Sequence, residues 1–177
     1  MGEIAGQKAE ESDPRSGATE PRLPELGRRG GGWVAVQMTL IGVALAAGAA
    51  GPAWPPGSRR SLRVAAAPVA LAGLVLLAGG GARLGRQLTV FPRPAATGTV
   101  RRDGVYGLVR HPMYGGVSLL LLAWALASSP AACPPWAATT VFLDAKRRRE
   151  ETWLLEQHAD YAAYRRVVKK RLVPFVW

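Results

Sequence analysis

The chain has 177 residues, a length typical of one domain, and 49% of them are apolar. Lysine and arginine number 23 against 12 acidic residues, which gives a formal net charge of +11. The single cysteine, Cys133, excludes an intrachain disulfide and a cysteine metal cluster. A nucleic-acid-binding protein would spread its basic residues over a folded face with aromatic residues between them. Here they flank apolar segments, so nucleic acid is not an expected partner.

Three stretches of the chain contain no charged residue: 31–53, 64–80 and 113–143. Each of the first two approaches the roughly 20 residues that a helix needs to cross about 30 Å of hydrocarbon. Three such stretches in so short a chain are difficult to bury in the core of a soluble protein. The predicted fold class is therefore an all-α, multi-pass integral membrane protein with about four transmembrane helices.

The first part of the chain, residues 1–30, is polar and rich in Gly, Pro, Glu and Arg, and is predicted to be a disordered cytoplasmic tail. The membrane domain would follow at residues 31–177. Acidic residues occupy the place where a cleavable signal peptide has its apolar core, namely Glu3, Glu10, Glu11 and Asp13. The first transmembrane helix is therefore expected to act as the insertion signal.

The first two helices are predicted at residues 33–50 and 64–80. Prolines end the first helix, and a run of three glycines at 79–81 is expected to end the second. A basic loop follows to residue 110, in which Pro92 and Pro94 exclude a helix. The prolines of the first break are Pro52, Pro55 and Pro56.

The third uncharged stretch is interrupted by "SSPAACPP", which predicts a short helical hairpin made of residues 113–128 and a second helix from 136. That second helix is expected to continue out of the membrane to about Val168. The tip of the hairpin is uncharged, whereas basic residues crowd its other end. The positive-inside rule then places both termini and the 83–110 loop in the cytoplasm, with the cell membrane as the expected location. Arg59, Arg60 and Arg63 run against this rule.

The stretch "GVYGLVRHPMYGG" places Tyr106, Arg110, His111 and Tyr114 at the threshold of the hairpin. These residues could be no more than an anchor at the membrane interface, with Pro112 in the first helical turn.

Two adjacent carboxylates, Glu150 and Glu151, lie about two turns beyond the hairpin. They could form a solvated face with Lys146 and Arg147, which stand four residues earlier. However, the hairpin returns residue 150 to the membrane face where residue 110 lies. One small pocket could then contain Tyr106, His111, Tyr114 and Glu150, and would suit a ligand that has an amine and an adenine-like ring.

These segments resemble the isoprenylcysteine carboxyl methyltransferase and phospholipid methyltransferase superfamily. The family pattern is G-x-Y-x-x-x-R-H-P-x-Y-x-G, a short helical hairpin, then E-E-x-x-L and Y-x-x-Y with a terminal proline. The resemblance covers about residues 98–177. It is carried by Gly104, Tyr106, Arg110, His111, Pro112, Tyr114, Gly116, Glu150, Glu151, Leu154, Tyr161, Tyr164 and Pro174.

The resemblance implies a cytoplasm-facing pocket for S-adenosylmethionine, without a Rossmann fold or a metal ion. The implied cofactor-binding residues are Val100, Arg101, Tyr106, His111, Pro112, Met113, Tyr114, Glu150 and Glu151, with Glu150 the more important of the pair. Arg110 and Lys146 are expected to orient an anionic acceptor. The chain departs from the family in two places. Lys146 replaces an arginine of eukaryotic members, and His158 and Ala159 replace a Phe-Gly pair in a segment one residue shorter.

The implied function is methyl transfer to a lipophilic acceptor, either an isoprenylcysteine-like carboxylate or a phospholipid amine. The expected partners are this lipophilic or lipidated substrate and membrane lipids. Two alternatives stay open. One is a membrane-bound NAD(P)H-dependent reductase of the sterol-reductase-like type, which has a similar C-terminal hairpin. The other is a non-catalytic membrane protein that retains the pocket.

Overall fold

The computed structural model describes residues 30–85 and 100–174, and every regular element within these two ranges is helical. The α-helices are α1 (Gly31–Ala50), α2 (Pro56–Leu84), α3 (Pro112–Ala127), α4 (Cys133–Gln157) and α5 (Tyr161–Val167). Short 3₁₀ turns precede α3 and α4, at Gly104–Gly107 and Pro130–Ala132. The predicted disordered tail and the prolines at 92 and 94 lie outside the described residues.

Helix α2 is longer than the 64–80 predicted from the sequence. Pro56 occupies its first turn, where a proline interrupts no hydrogen bond, and Pro68 lies inside the helix. The prediction that the three glycines end the helix is wrong, since α2 continues to Leu84. A Cβ atom on Gly80 would lie 2.8 Å from Cγ of Met113. Gly80 instead lets α2 approach the start of α3.

The predicted hairpin is present, with α4 beginning at Cys133 so that Pro134 and Pro135 fall in its first turn. Ser129 fixes the connection between α3 and α4. Its hydroxyl accepts a hydrogen bond from the Ala131 backbone N–H (3.1 Å) and donates one to the Pro52 carbonyl (2.7 Å). This joins the tip of the hairpin to the loop between α1 and α2.

The prediction of a continuous helix to about Val168 is wrong, because α4 ends at Gln157 and a turn precedes α5. His158 and Asp160, which lie at this break, are both among the weaker helix formers, so local propensity is compatible with a helix end here. The turn allows Tyr161, Tyr164 and Val168 to form one buried cluster, against which Val100 packs. The hydroxyl of Tyr164 also donates to the Tyr106 carbonyl (2.7 Å). The end of α4 is therefore accompanied by the burial of two aromatic side chains.

The first four helices run antiparallel in chain order, and α3 lies between the others, contacting α1, α2 and α4. Helix α2 packs mainly on α3 and α1 mainly on α4. The contact between α2 and α3 depends on glycines: a Cβ atom on Gly116 would lie 2.8 Å from the Gly73 carbonyl oxygen. Small residues at such crossings allow the close backbone approach that drives helix association in lipid.

Helices α1 and α2 are each long and apolar enough to cross a membrane, and α3 is a shorter apolar helix. Only 17% of the most apolar window of α1, and the same share of α2, is buried. A core helix of a soluble protein would be mostly buried. Exposed apolar residues on these helices include Met38, Val43, Leu71 and Val75. Such surfaces favour a location in the membrane.

We expect Gly116→Leu to weaken the packing of α2 on α3. The new side chain would meet the Gly73 carbonyl oxygen and the Leu77 backbone nitrogen, which the helices hold in place. Overpacking of this kind costs about 1–3 kcal/mol. Gly42→Leu is the control, because a Cβ atom at Gly42 meets nothing within 4 Å. Thermal unfolding in detergent should show a lower melting temperature for the first variant only. Equal melting temperatures would contradict this account of the crossing.

Candidate functional site

The site begins where the chain enters α3. The Arg110 and His111 backbone N–H groups donate to the carbonyls of Lys170 (3.1 Å) and Arg171 (2.9 Å). The C-terminal segment thus lies across the start of α3. A Cβ atom on Gly115 would overlap the Leu172 carbonyl oxygen, so only glycine permits this approach. Pro112 then begins the helix.

A buried carboxylate, that of Glu151, lies at the centre of the site, with only 4% of its side chain exposed. Its Oε1 accepts a hydrogen bond from Nε of Arg110 (2.9 Å) and lies 3.1 Å from Nε2 of His111. Its Oε2 lies 3.3 Å from Nη1 of Arg147 and 3.7 Å from Nε of Arg165. Burial raises the pKa of this carboxyl group, but the hydrogen bonds and charges of His111 and Arg110 outweigh it and hold the pKa well below its usual range. Glu151 is therefore a fixed negative charge that holds three helices together.

The guanidinium of Arg110 also has several partners within the protein. Its Nη1 donates to the carbonyls of Val168 (2.7 Å) and Lys169 (3.0 Å), and its side chain is buried. The sequence suggested that Arg110 orients an acceptor and that Glu151 contacts the cofactor. Either role would require their mutual ion pair (2.9 Å) to open, so both roles stay predictions. In this structure the two residues link α4 to the segment that precedes α3.

Glu150 differs from its neighbour because 24% of its side chain is exposed. Its Oε2 accepts a hydrogen bond from the Tyr114 hydroxyl (2.7 Å) and lies 3.8 Å from Nδ1 of His111. The His111 and Tyr114 rings stack, with centroids 5.6 Å apart and planes 5° from parallel. The other oxygen of Glu150, Oε1, has no polar partner within the described ranges. The open carboxylate thus lies beside two aromatic rings.

Tyr106 belongs to the same group. It lies in the 3₁₀ turn before α3, and burial, together with the negative charge of Glu150, raises the pKa of its phenol. The structure therefore brings together the four residues that the sequence placed in one pocket, Tyr106, His111, Tyr114 and Glu150.

Lys146 joins the site to α1. Its Nζ donates to Oε1 of Gln37 (2.6 Å) and lies 5.2 Å from the Tyr114 ring centroid. The residue is only 2% exposed. The alternative of a solvated salt-bridge face does not describe this arrangement, because Lys146, Arg147 and Glu151 are all buried.

The remaining predicted cofactor residues lie at the edge of the site. Val100 packs on the cluster of Tyr161 and Tyr164, and Arg101 is exposed. Pro112 is buried and Met113 half-buried, and both are close to Gly80 of α2. Over residues 30–85 and 100–174, no group of three His, Cys, Asp or Glu side chains could hold a metal ion.

Two members of the site were not found from the sequence. Asp144 is buried, with its Oδ1 2.8 Å from Nε of Arg147, and it also pairs with Arg148. Its spacing of three and four residues from these arginines was a usable signal. Gln37 is the second, and its signal was an amide side chain within an uncharged apolar helix, where polar groups require a partner.

Comparison with models of protein families, with curated proteins and with solved structures gave no match to this chain.

We expect Glu151→Gln to destabilise the fold strongly, because it leaves the Arg110 charge buried without its carboxylate partner. Removing one member of a buried ion pair typically costs about 3–5 kcal/mol. Glu156→Gln, at an exposed position of the same helix, is the control and should be silent. Melting temperatures in detergent at neutral pH provide the measurement.

A comparison of wild type with Glu151→Gln also tests how stability depends on pH. The pKa of Glu151 is depressed in the folded protein. The contribution of its ionised carboxylate to the free energy of unfolding should therefore be complete above the ordinary glutamate pKa of about 4.3. It should be lost as the pH falls towards the lower pKa of the folded state. The gap in melting temperature between wild type and Glu151→Gln should narrow below about pH 4. A gap that widens in acid would show that the carboxylate does not hold the site in its ionised form.

Proposed function

We propose that this protein is a membrane methyltransferase that uses S-adenosylmethionine to methylate a lipophilic acceptor. The observation that carries the proposal is the state of Glu150, a partly exposed carboxylate beside the stacked rings of His111 and Tyr114. One of its oxygens has no polar partner among residues 30–85 and 100–174. A carboxylate in this setting suits a ligand that presents an amine and flat or cationic groups.

The residues present fit S-adenosylmethionine. Oε1 of Glu150 is available to accept hydrogen bonds from the amine of the methionine part. The aromatic faces of Tyr106 and Tyr114 suit the adenine ring or the sulfonium cation. Arg101 is exposed and available for the carboxylate. His111 holds its orientation through Glu151, so that the ring against which Tyr114 stacks is fixed before a ligand arrives.

The cofactor, when bound, supplies a methyl group on a positively charged sulfur, which a nucleophile can accept directly. The protein then needs mainly to position two reactants and exclude water. Lys146, which lies in the low-dielectric region between α1 and α4 and next to Tyr114, would orient an anionic acceptor in this proposal by exchanging its hydrogen bond with Gln37 for one to the acceptor. Arg110 has no such role in this proposal.

The acceptor is proposed to be lipophilic because of the helices around the site. In the proposed topology α1 to α4 cross the membrane, and both termini and the site lie on the cytoplasmic side. Since α1 packs mainly on α4 and α2 mainly on α3, an acceptor with an apolar tail could enter from the bilayer between α1 and α2. An isoprenylcysteine-like carboxylate and a phospholipid amine are the two acceptor classes.

We expect Glu150→Gln to weaken S-adenosylmethionine binding roughly 10-fold to 100-fold, as the loss of a charge-assisted hydrogen bond implies (about 1.5–3 kcal/mol). Calorimetric titration of the full chain in detergent measures this directly. Glu156→Gln is the matched control, and the melting temperature of Glu150→Gln should stay close to that of wild type because this carboxylate is partly exposed. Binding of a nicotinamide nucleotide in place of S-adenosylmethionine would favour the reductase alternative. Binding of neither would favour a non-catalytic membrane protein.

The topology has its own test, in which single cysteines are placed in a Cys133→Ser background. Positions 102 and 157 should be labelled from the cytoplasm, and position 58 from the outside. The first two belong together because the Arg102 side chain pairs with Asp160. Labelling of all three positions from one side would contradict four crossings.

A further inference from the structure

Three arginines, Arg59, Arg60 and Arg63, lie in the first two turns of α2, at the end of the bundle opposite the candidate site. Together with Pro56 and Val64 they line a surface cavity of about 420 Å³. No carboxylate among residues 30–85 and 100–174 pairs with any of the three. The cavity therefore concentrates positive charge that the described part of the protein does not neutralise.

Two of these arginines are held in place by backbone carbonyls. Nε and Nη2 of Arg59 donate to the Trp54 carbonyl (3.2 and 3.1 Å), and Nε of Arg63 donates to the Ala127 carbonyl (3.3 Å). Among residues 30–85 and 100–174, Nη1 of Arg59, both terminal nitrogens of Arg63 and the Arg60 guanidinium have no hydrogen-bond acceptor. Several guanidinium groups on residues that line one open cavity suit the oxygens of a phosphate.

The position of the cavity along α2 indicates where that phosphate comes from. Arg63 lies level with Ala127, the last residue of α3, so the cavity is at the edge of the apolar part of the bundle. Helix α2 has 29 residues. At about 1.5 Å per residue it is longer than the roughly 30 Å of the hydrocarbon layer, so one end must reach the headgroups.

An apolar stripe continues from the cavity along α2. Val64, Leu71 and Val75 follow Arg60 at steps of four, seven and four residues, which places them on one helix face. All three side chains are exposed. This helix face thus has positive charge near its N-terminal end, followed by exposed apolar side chains. The charged end suits a phospholipid headgroup, and the apolar part suits its acyl chain.

We propose that the cavity lined by Arg59, Arg60 and Arg63 binds the phosphate of an anionic phospholipid, whose acyl chain lies along Val64, Leu71 and Val75. An anionic headgroup is favoured over a zwitterionic one, because the latter would bring its own cation close to three uncompensated arginines. This site is separate from the proposed methyl-transfer site and depends only on the membrane location of α2. It also gives the three arginines a function on the face where the positive-inside rule disfavours them.

The test is native mass spectrometry of the full chain in detergent, titrated with phosphatidylglycerol or with phosphatidylcholine. Wild type should retain phosphatidylglycerol roughly tenfold more tightly than Arg60→Gln/Arg63→Gln, as expected for lost charge-assisted hydrogen bonds. Arg166→Gln/Lys170→Gln is the control, since it removes the same charge from exposed positions at the other end of the fold and should behave as wild type. Melting temperatures check that all variants are folded.

Three results would overturn the proposal. One is equal retention of phosphatidylglycerol and phosphatidylcholine by wild type. Another is an equal loss in the control variant, which would indicate a general effect of net charge. The third is full displacement of the lipid by inorganic phosphate, which would make the cavity a site for free phosphate, with no part for the apolar stripe.

Discussion

The buried carboxylate of Glu151 is the interaction on which the rest of the structure depends. Its ion-pair partners are Arg110 and His111 at the start of α3, Arg147 in its own helix and Arg165 in α5. Through Arg110 it also reaches the carbonyls of the C-terminal segment. A buried charge of this kind is tolerable only when its partners are all in place, because an unpaired charge in a low-dielectric region is very costly. Pairing this buried charge therefore requires three distant segments of the chain to meet at one point.

The fixed position of Glu151 explains the open state of Glu150. Adjacent residues on a helix point about 100° apart, so a helix that buries one carboxylate among arginines turns the other towards a different side. There Glu150 meets the Tyr114 hydroxyl and keeps one oxygen without a partner in the described ranges. His111 lies between the two, with one ring nitrogen near each carboxylate. A single pair of glutamates thus separates into one that is buried among ion-pair partners and one that is partly exposed.

The two ends of the bundle differ in their chemistry. The end near residues 110 and 150 has buried ion pairs, aromatic rings and an open carboxylate, and suits a polar ligand. The other end has three arginines beside an exposed apolar helix face and suits a lipid headgroup. Between them, the crossing of Gly73 and Gly116 holds α2 against α3. Helix α2 connects the two ends of the bundle. It begins at the proposed lipid site, and its Gly80 lies beside the residues that begin α3.

The sequence by itself determined the helical class, the apolar segments and the hairpin, because the effects of hydropathy and of proline are local and do not depend on tertiary contacts. It also predicted that the segment at 106–114 meets Glu150, since a hairpin returns the chain to the same level. Only the tertiary structure showed that α2 continues through three glycines, where Gly80 lies close to Met113, and that Tyr161 and Tyr164 are buried together after α4 ends at Gln157. It also decided that Arg110 and Glu151 are buried and that Glu150 is partly exposed. Charge and spacing are the same for a surface ion pair and a buried one, and only the packing of α5 and the C-terminal segment over this region buries Glu151 and leaves Glu150 open.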